Sequence, residues 1–152
     1  MRVERVNNAD PQVEALLEAH HALMRATSPE ESCHVMTADA LRQSGAQVFA
    51  LRDDTKGVTA VGALKPFGTD SVELKSMHTA GALRGQGLGR MLLSALLETA
   101  RQQGAKAAYL ETGTADDFAA ARALYQGAGF SECPPFGDYT LDPLSVFMHR
   151  AL

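Results

Sequence analysis

The stretch Arg84-Gly85-Gln86-Gly87-Leu88-Gly89-Arg90 has the residue types and spacing of an anion-binding turn. Its alternate glycines clear side chains from a backbone that must bend tightly, and an apolar repeat starting at Leu88 predicts a helix that opens directly from the loop. A helix N-terminus presents unpaired N–H groups and the positive end of its dipole, the combination that holds a pyrophosphate. Arg84 and Arg90, at the two ends, add charge-assisted contacts to phosphate oxygens. A ligand-free glycine turn has the same composition, so the loop by itself leaves both readings open.

Other chemistries fit these residues less well. A Walker loop needs Gly-Lys-Ser/Thr, which is absent, and Arg90 stands where GxGxxG requires its third glycine. Glu111 lies where a dinucleotide fold places its ribose-binding acid, but the strand Glu73-Leu74-Lys75-Ser76-Met77-His78 reads as too polar for a central parallel strand. His20, His21 and His34 do not make a metal set: neighbouring histidines on a helix diverge, and no carboxylate–histidine spacing accompanies them.

Positioning the loop requires the elements around it. Arg2–Val6 reads as an opening strand, and Pro11 fits the first position of a helix to Ala26 in which Val13, Leu16, Leu17, His20, Leu23 and Met24 recur on a helical period. The polar stretch from Thr27 to Ser32 breaks that helix and could border a substrate site, after which Thr37 caps a short helix through Gln43. Gln47–Arg52, Val58–Phe67 and Val72–Thr79, joined by turns, predict an antiparallel meander. Leu88, Met91, Leu92, Ala95, Leu96 and Thr99 form the face of a helix that ends at Gly104. Ala107–Glu111 follows as a strand, Asp116–Ala128 as a helix, and Phe130–Cys133 and Ser145–Arg150 as strands flanking Pro134-Pro135-Phe136-Gly137. The fold class is α/β, a mixed sheet covered by helices on both faces, with residues 1–152 as a single domain.

Composition removes several functions. The 152 residues carry a formal charge of -4 and a pI near 5.7, which gives no electrostatic reason to expect nucleic acid or an anionic membrane as partner. No apolar run approaches the ~18 residues of a membrane span and the start lacks a signal-peptide pattern, so the expected location is cytoplasmic. Cys33 and Cys133 form no CxxC pair and read as reduced thiols.

At this point the residues resemble a known family. Arg84-Gly85-Gln86-Gly87-Leu88-Gly89 is similar to the R/Q-x-x-G-x-G/A loop of the GNAT N-acetyltransferases, and Ala121-Arg122-Ala123-Leu124-Tyr125-Gln126-Gly127-Ala128-Gly129-Phe130 is similar to their A-x-x-L-Y-x-x-x-G-F segment. Two motifs in the right order and separation are more specific than either alone. Phe118 departs from the pattern, standing where many members carry asparagine. Pro29-Glu30-Glu31-Ser32, Glu73–Met77, Leu110–Gly113 and Asp142–Met148 further resemble a bacterial subgroup of acetyltransferases, some described as acting on compounds related to indole-acetic acid.

The resemblance implies a GNAT-like, mostly antiparallel sheet and acetyl-CoA as co-substrate, with direct acetyl transfer to a small-molecule or amino-acid-like amine. It implies that Met77, His78 and Thr79 pair with the pantetheine arm along a bulged strand. The amides of Gly85, Gln86, Gly87, Leu88, Gly89 and Arg90 then hold the pyrophosphate, and Tyr125 lies near the sulfur as the acid that protonates the leaving thiolate. An amine of pKa ~10.4 must also lose a proton, a deficit at neutral pH of about 4 kcal/mol. Glu73 matches the strand position of a glutamate base in several members, and His78 is a second candidate for proton transfer. Lys75, His78 and the histidines of the first helix would suit a carboxylate on the acceptor. Many such small domains pair, which leaves monomer and homodimer both open, and the alternative from another class is a sensor that binds acyl-CoA without turnover.

Overall fold

The computed structural model describes residues 1–27 and 37–152. Its elements are β1 (Arg2–Arg5), α1 (Pro11–Thr27), α2 (Ala38–Gln43), β2 (Gln47–Asp53), β3 (Gly57–Phe67), β4 (Ser71–Thr79), α3 (Leu88–Gln102), β5 (Ala107–Gly113), α4 (Ala119–Gly127), β6 (Ser131–Glu132) and β7 (Ser145–Ala151). The strands form one seven-stranded sheet in the order β1-β2-β3-β4-β5-β7-β6, antiparallel throughout except where β4 runs parallel to β5.

Alternation along the strands sorts the core into two layers. Phe49, Leu51, Ala60, Leu64, Val72 and Leu74 face α3 and α4, packing against Leu88, Leu92, Leu93, Leu96 and Tyr125. Val48, Ala50, Val61 and Ala63 face α1 and α2, meeting Val13, Leu17, Ala38 and Leu41. Each fully buried leucine of α3 contributes about 1.5–3 kcal/mol relative to exposure. Because β3 is covered on both faces, its residues 58–64 are buried in unbroken succession.

Expected and observed elements agree to within a residue or two at most ends, and three points differ. The helix expected from Asp116 begins instead as a 3-10 turn over Asp116–Phe118, with α4 proper starting at Ala119. Arg122 holds that turn against the preceding strand by donating to the carbonyls of Gly113 and Ala115. The strand expected over Phe130–Cys133 shortens to Ser131–Glu132, because Phe130 is still tied to the end of α4 through the Tyr125 carbonyl. Finally, β4 is a central strand with a parallel neighbour despite its polar residues, which is tolerated because Glu73, Lys75 and His78 line a cavity rather than a packed core.

One irregularity shapes the site. Val61 of β3 pairs with His78 while Ala63 pairs with Lys75, so β4 carries one residue more than its partner, a β-bulge. Ser76 sits in the bulge at a φ of 57°. The extra residue turns Met77 onto the α3 face over Gly62, a position where a Cβ would collide with the Met77 sulfur, and sends His78 to the α1 face. The bulged strand that the resemblance implies is present here as one inserted residue.

A left-handed serine is strained relative to glycine, and a β-branched residue there more so. Ser76→Gly should therefore match or exceed the wild type in stability by up to about 1 kcal/mol, whereas Ser76→Val should lose about 1–2 kcal/mol. Urea midpoints at constant slope measure both.

Candidate active site

The parallel pairing of β4 with β5 runs from Ser71↔Ala107 to Leu74↔Leu110 and then stops. Beyond it the two strands part, and a cavity of about 560 Å³ opens between them. Its walls come from both faces of the sheet: Leu92, Ala121, Leu124 and Tyr125 from α3 and α4, and His20, Leu23 and Met24 from α1.

One end is the glycine loop. Gly85 and Gly87 have φ values of 83° and 79°, and Gly87 is the residue from which α3 springs. Neither has any atom within 4 Å of where a Cβ would stand, so the backbone faces open space. The first-turn amides of α3 have no partner within the helix and point out of its start. Arg84, Gly85, Gly87, Leu88, Gly89 and Arg90 line the cavity, as do Met77, His78, Thr79, Tyr125 and Glu73. Gln86 is exposed and is not among the lining residues. The loop, the open-edged strand beyond the bulge and the cavity fit a long anionic ligand laid along β4.

Arg84 folds back onto that strand, its Nε 3.4 Å from the Thr79 carbonyl and its guanidinium 3.5 Å from His78 Nε2. His78 Nδ1 in turn lies 3.3 Å from His20 Nδ1. Burial, with the Arg84 charge beside it, pushes His78 down to about 4, and burial, with the positive groups around it, does the same to His20. Both rings are neutral near pH 7. Since Arg84 can only donate, His78 Nε2 accepts, its proton sits on Nδ1, and His20 keeps its own on Nε2.

Toward the middle of β4 lies a compact polar group. Tyr139, brought in by the chain between β6 and β7, donates to Glu73 Oε2 at 2.5 Å, and Lys75 Nζ is 3.3 Å from the same oxygen and 3.1 Å from the Tyr139 hydroxyl. Glu73 and Lys75 side chains are each 10% exposed. Burial raises the Tyr139 phenol well above its usual range, and the Glu73 charge adds to it. On β5, burial lifts the Glu111 carboxyl to about 7, with a bond from Ser145 opposing and the Glu73 charge reinforcing. Tyr125 is buried against Phe130, and desolvation with the Glu111 charge keeps its phenol protonated far above the usual value.

Two members of the cavity are not among the residues the sequence singles out: Tyr139 carries no motif, and Glu111 reads from sequence only as a ribose ligand. Strand parity is the signal for Glu111: Glu73 pairs with Tyr109, so residue 111, two positions on, shares its face. Phe118 fills the asparagine position by packing its ring on Gly113. Among the described residues no group of three or more metal-binding side chains occurs, and His34 and Cys33 lie outside them. The Cys133 thiol is free and burial raises it, away from the reactive thiolate.

Residues 13–130 match the Acetyltransferase (GNAT) family. The chain belongs to that family. This acetyltransferase is 36% identical over 141 residues to the uncharacterized N-acetyltransferase YsnE of Bacillus subtilis (strain 168), covering 93% of each chain. It is 36% identical over 129 residues to a protein named IAA acetyltransferase from Azospirillum brasilense, covering 82% of this chain and 80% of that one. A solved candidate acyl-CoA N-acyltransferase from Klebsiella pneumoniae superposes with a TM-score of 0.81 at 30% identity, over 99% of this chain and 97% of the other. Membership makes the chain an acyltransferase with acetyl-CoA as co-substrate, and the cavity has the features such a ligand needs.

Gly87→Glu, which sets a carboxylate and a side chain where phosphate must approach the backbone, should abolish coenzyme A binding in calorimetric titration while circular dichroism stays native. Arg84→Ala should weaken binding more gently, because the backbone donors remain.

Proposed function

We propose that the chain N-acetylates a small primary amine by direct transfer, as one catalytic domain acting in the cytoplasm. The arrangement that carries the reading is one cavity lined by both Glu111, whose carboxyl burial lifts to about 7, and Tyr125, whose phenol burial keeps neutral. Acetyl-CoA supplies an activated acyl thioester. The chain's residues do the rest. Amides from Gly85 to Arg90, with Arg84 and Arg90, hold phosphate, and the β4 edge from Met77 to Thr79, freed by the bulge, offers backbone donors to the thiol arm and to developing oxyanion charge.

Glu111 takes the proton from the incoming ammonium, since a carboxyl near 7 is close to half ionised at neutral pH and is a stronger base than an ordinary one. Glu73, bonded to Lys75 and Tyr139, acts by raising Glu111 and fixing Tyr139 rather than as the base itself. The freed amine then bonds to the thioester carbonyl carbon. The C–S bond breaks as Tyr125 gives its proton to the departing sulfur, and the new amide nitrogen gives up its extra proton to restore the phenol. His78, with both ring nitrogens engaged, positions Arg84 and the strand edge rather than relaying protons.

Among the described residues no helix is long and apolar enough to cross a membrane. A free-thiol assay with acetyl-CoA against a broad amine panel tests the reading. Coenzyme A affinity without thiol release for any amine would leave a sensor instead of an enzyme.

Because the base must be ionised, kcat/KM should rise as pH passes about 7, and Glu111→Gln should remove that inflection while keeping the slower rise from the amine's own deprotonation. A wild-type inflection near 7 that survives in Glu111→Gln would place the base elsewhere. Tyr125→Phe keeps the ring packed, so coenzyme A affinity should hold while kcat falls ~10²-fold or more. Full turnover in that variant would end the acid assignment.

A further inference from the structure

We infer that the acceptor is a primary amine with no carboxylate close to its nitrogen, an inference that rests on the catalytic reading above. Of the charged residues lining the cavity, Arg84 and Arg90 stand at the glycine loop, Asp117 stands just before α4, and Glu73, Lys75 and Glu111 stand on β4 and β5, where in the proposed transfer the amine loses its proton.

Apart from the loop arginines, the lysine or arginine lining the cavity among the described residues is Lys75. Lys75 is already committed: its Nζ is 3.3 Å from Glu73 and 3.1 Å from the Tyr139 hydroxyl, and its side chain is 10% exposed. It therefore does not offer an acceptor carboxylate the open cation that its sequence position suggests. His20 and His78 are neutral, and Arg84 is folded onto Thr79 and His78 beside the phosphate loop.

The chain between β6 and β7 that brings Tyr139 to the cavity adds no counter-charge: residues 133–144 contain two aspartates and no lysine or arginine. A carboxylate attached beside the reacting nitrogen would come close to Glu111 and Glu73, and like charges in a desolvated site repel. It would also raise the proton affinity of Glu111 further, holding the base in its acid form near neutral pH. Lys75 has one further N–H to offer a ligand, but its charge is already balanced by Glu73, and giving a ligand carboxylate the whole ion pair would leave Glu73, a buried carboxylate, without its cation. An uncharged body meets no such obstacle, since Leu23, Met24 and Val61 give the same cavity apolar wall.

Three ligands that share one body separate charge from shape: tryptamine, tryptophanamide and tryptophan, repeated with phenethylamine, phenylalaninamide and phenylalanine, and with agmatine, argininamide and arginine. With the native protein and acetyl-CoA, the amine and amide of a turned-over series should each exceed the acid in kcat/KM by ~10-fold or more. Glu73→Gln should narrow the ratio of amide to acid, because it releases Lys75. An acid acetylated as well as its amide, or a ratio that Glu73→Gln leaves unchanged, overturns the inference while leaving the acetyltransferase reading intact. Thiol release with no member of any series overturns the catalytic reading, and this inference falls with it.

Discussion

The site depends on two parallel strands that pair for four residues and then separate. Between Ser71 and Leu74 the β4–β5 ladder is regular, and past Leu74 and Leu110 it is absent. Unpaired backbone in the middle of a sheet is unfavourable unless something else meets its donors and acceptors. Here the bulge at Ser76 turns the strand aside, so that its edge faces a cavity where a ligand or water can reach it. The glycine loop adds its amides at the end of the same edge. Two anion-seeking and amide-seeking surfaces are thus joined in one line by one irregular strand.

Polar residues that look misplaced by burial follow from that separation. Glu73, Lys75 and His78 occupy a central strand, yet each has a partner: Tyr139 and Lys75 for Glu73, Arg84 and His20 for His78. A buried carboxylate is stable in such a place only when it is bonded, as Glu73 is to Tyr139 and Lys75, and burial makes the Glu111 carboxyl hold its proton more tightly.

The sequence made much of this legible, for reasons that differ by element. The α3 stripe from Leu88 to Leu96 and the glycines before it are local signals, readable from spacing alone, and the helix starts where they place it. The paired motifs around Gly87 and Tyr125 brought the loop and the phenol to one cavity. What stayed hidden depends on tertiary pairing. Tyr139 reaches Glu73 across 66 positions of chain, and the parallel register that puts Glu111 on the face of Glu73 cannot be seen before the strand order is known. The polarity of β4 misled in the same way, since a strand that opens into a cavity does not need the apolar run of a packed one. The 3-10 start before α4 escaped because Arg122, a helix residue, reaches back to hold it.

The cavity draws walls from both faces of the sheet, with α3 and α4 on one side and α1 on the other. In the direct transfer proposed above, acetyl-CoA and the amine would enter from opposite faces and meet near Tyr125 and Glu111, so neither would have to leave before the other enters. A molecule in which coenzyme A is joined covalently to an amine would span both sides at once. Its second half would bind at the high effective concentration set by a short tether, so its affinity would exceed that of either part by a wide margin. The same chain would meet such an adduct as one tethered inhibitor, and changing only the amine half would survey the acceptor side without any need for turnover.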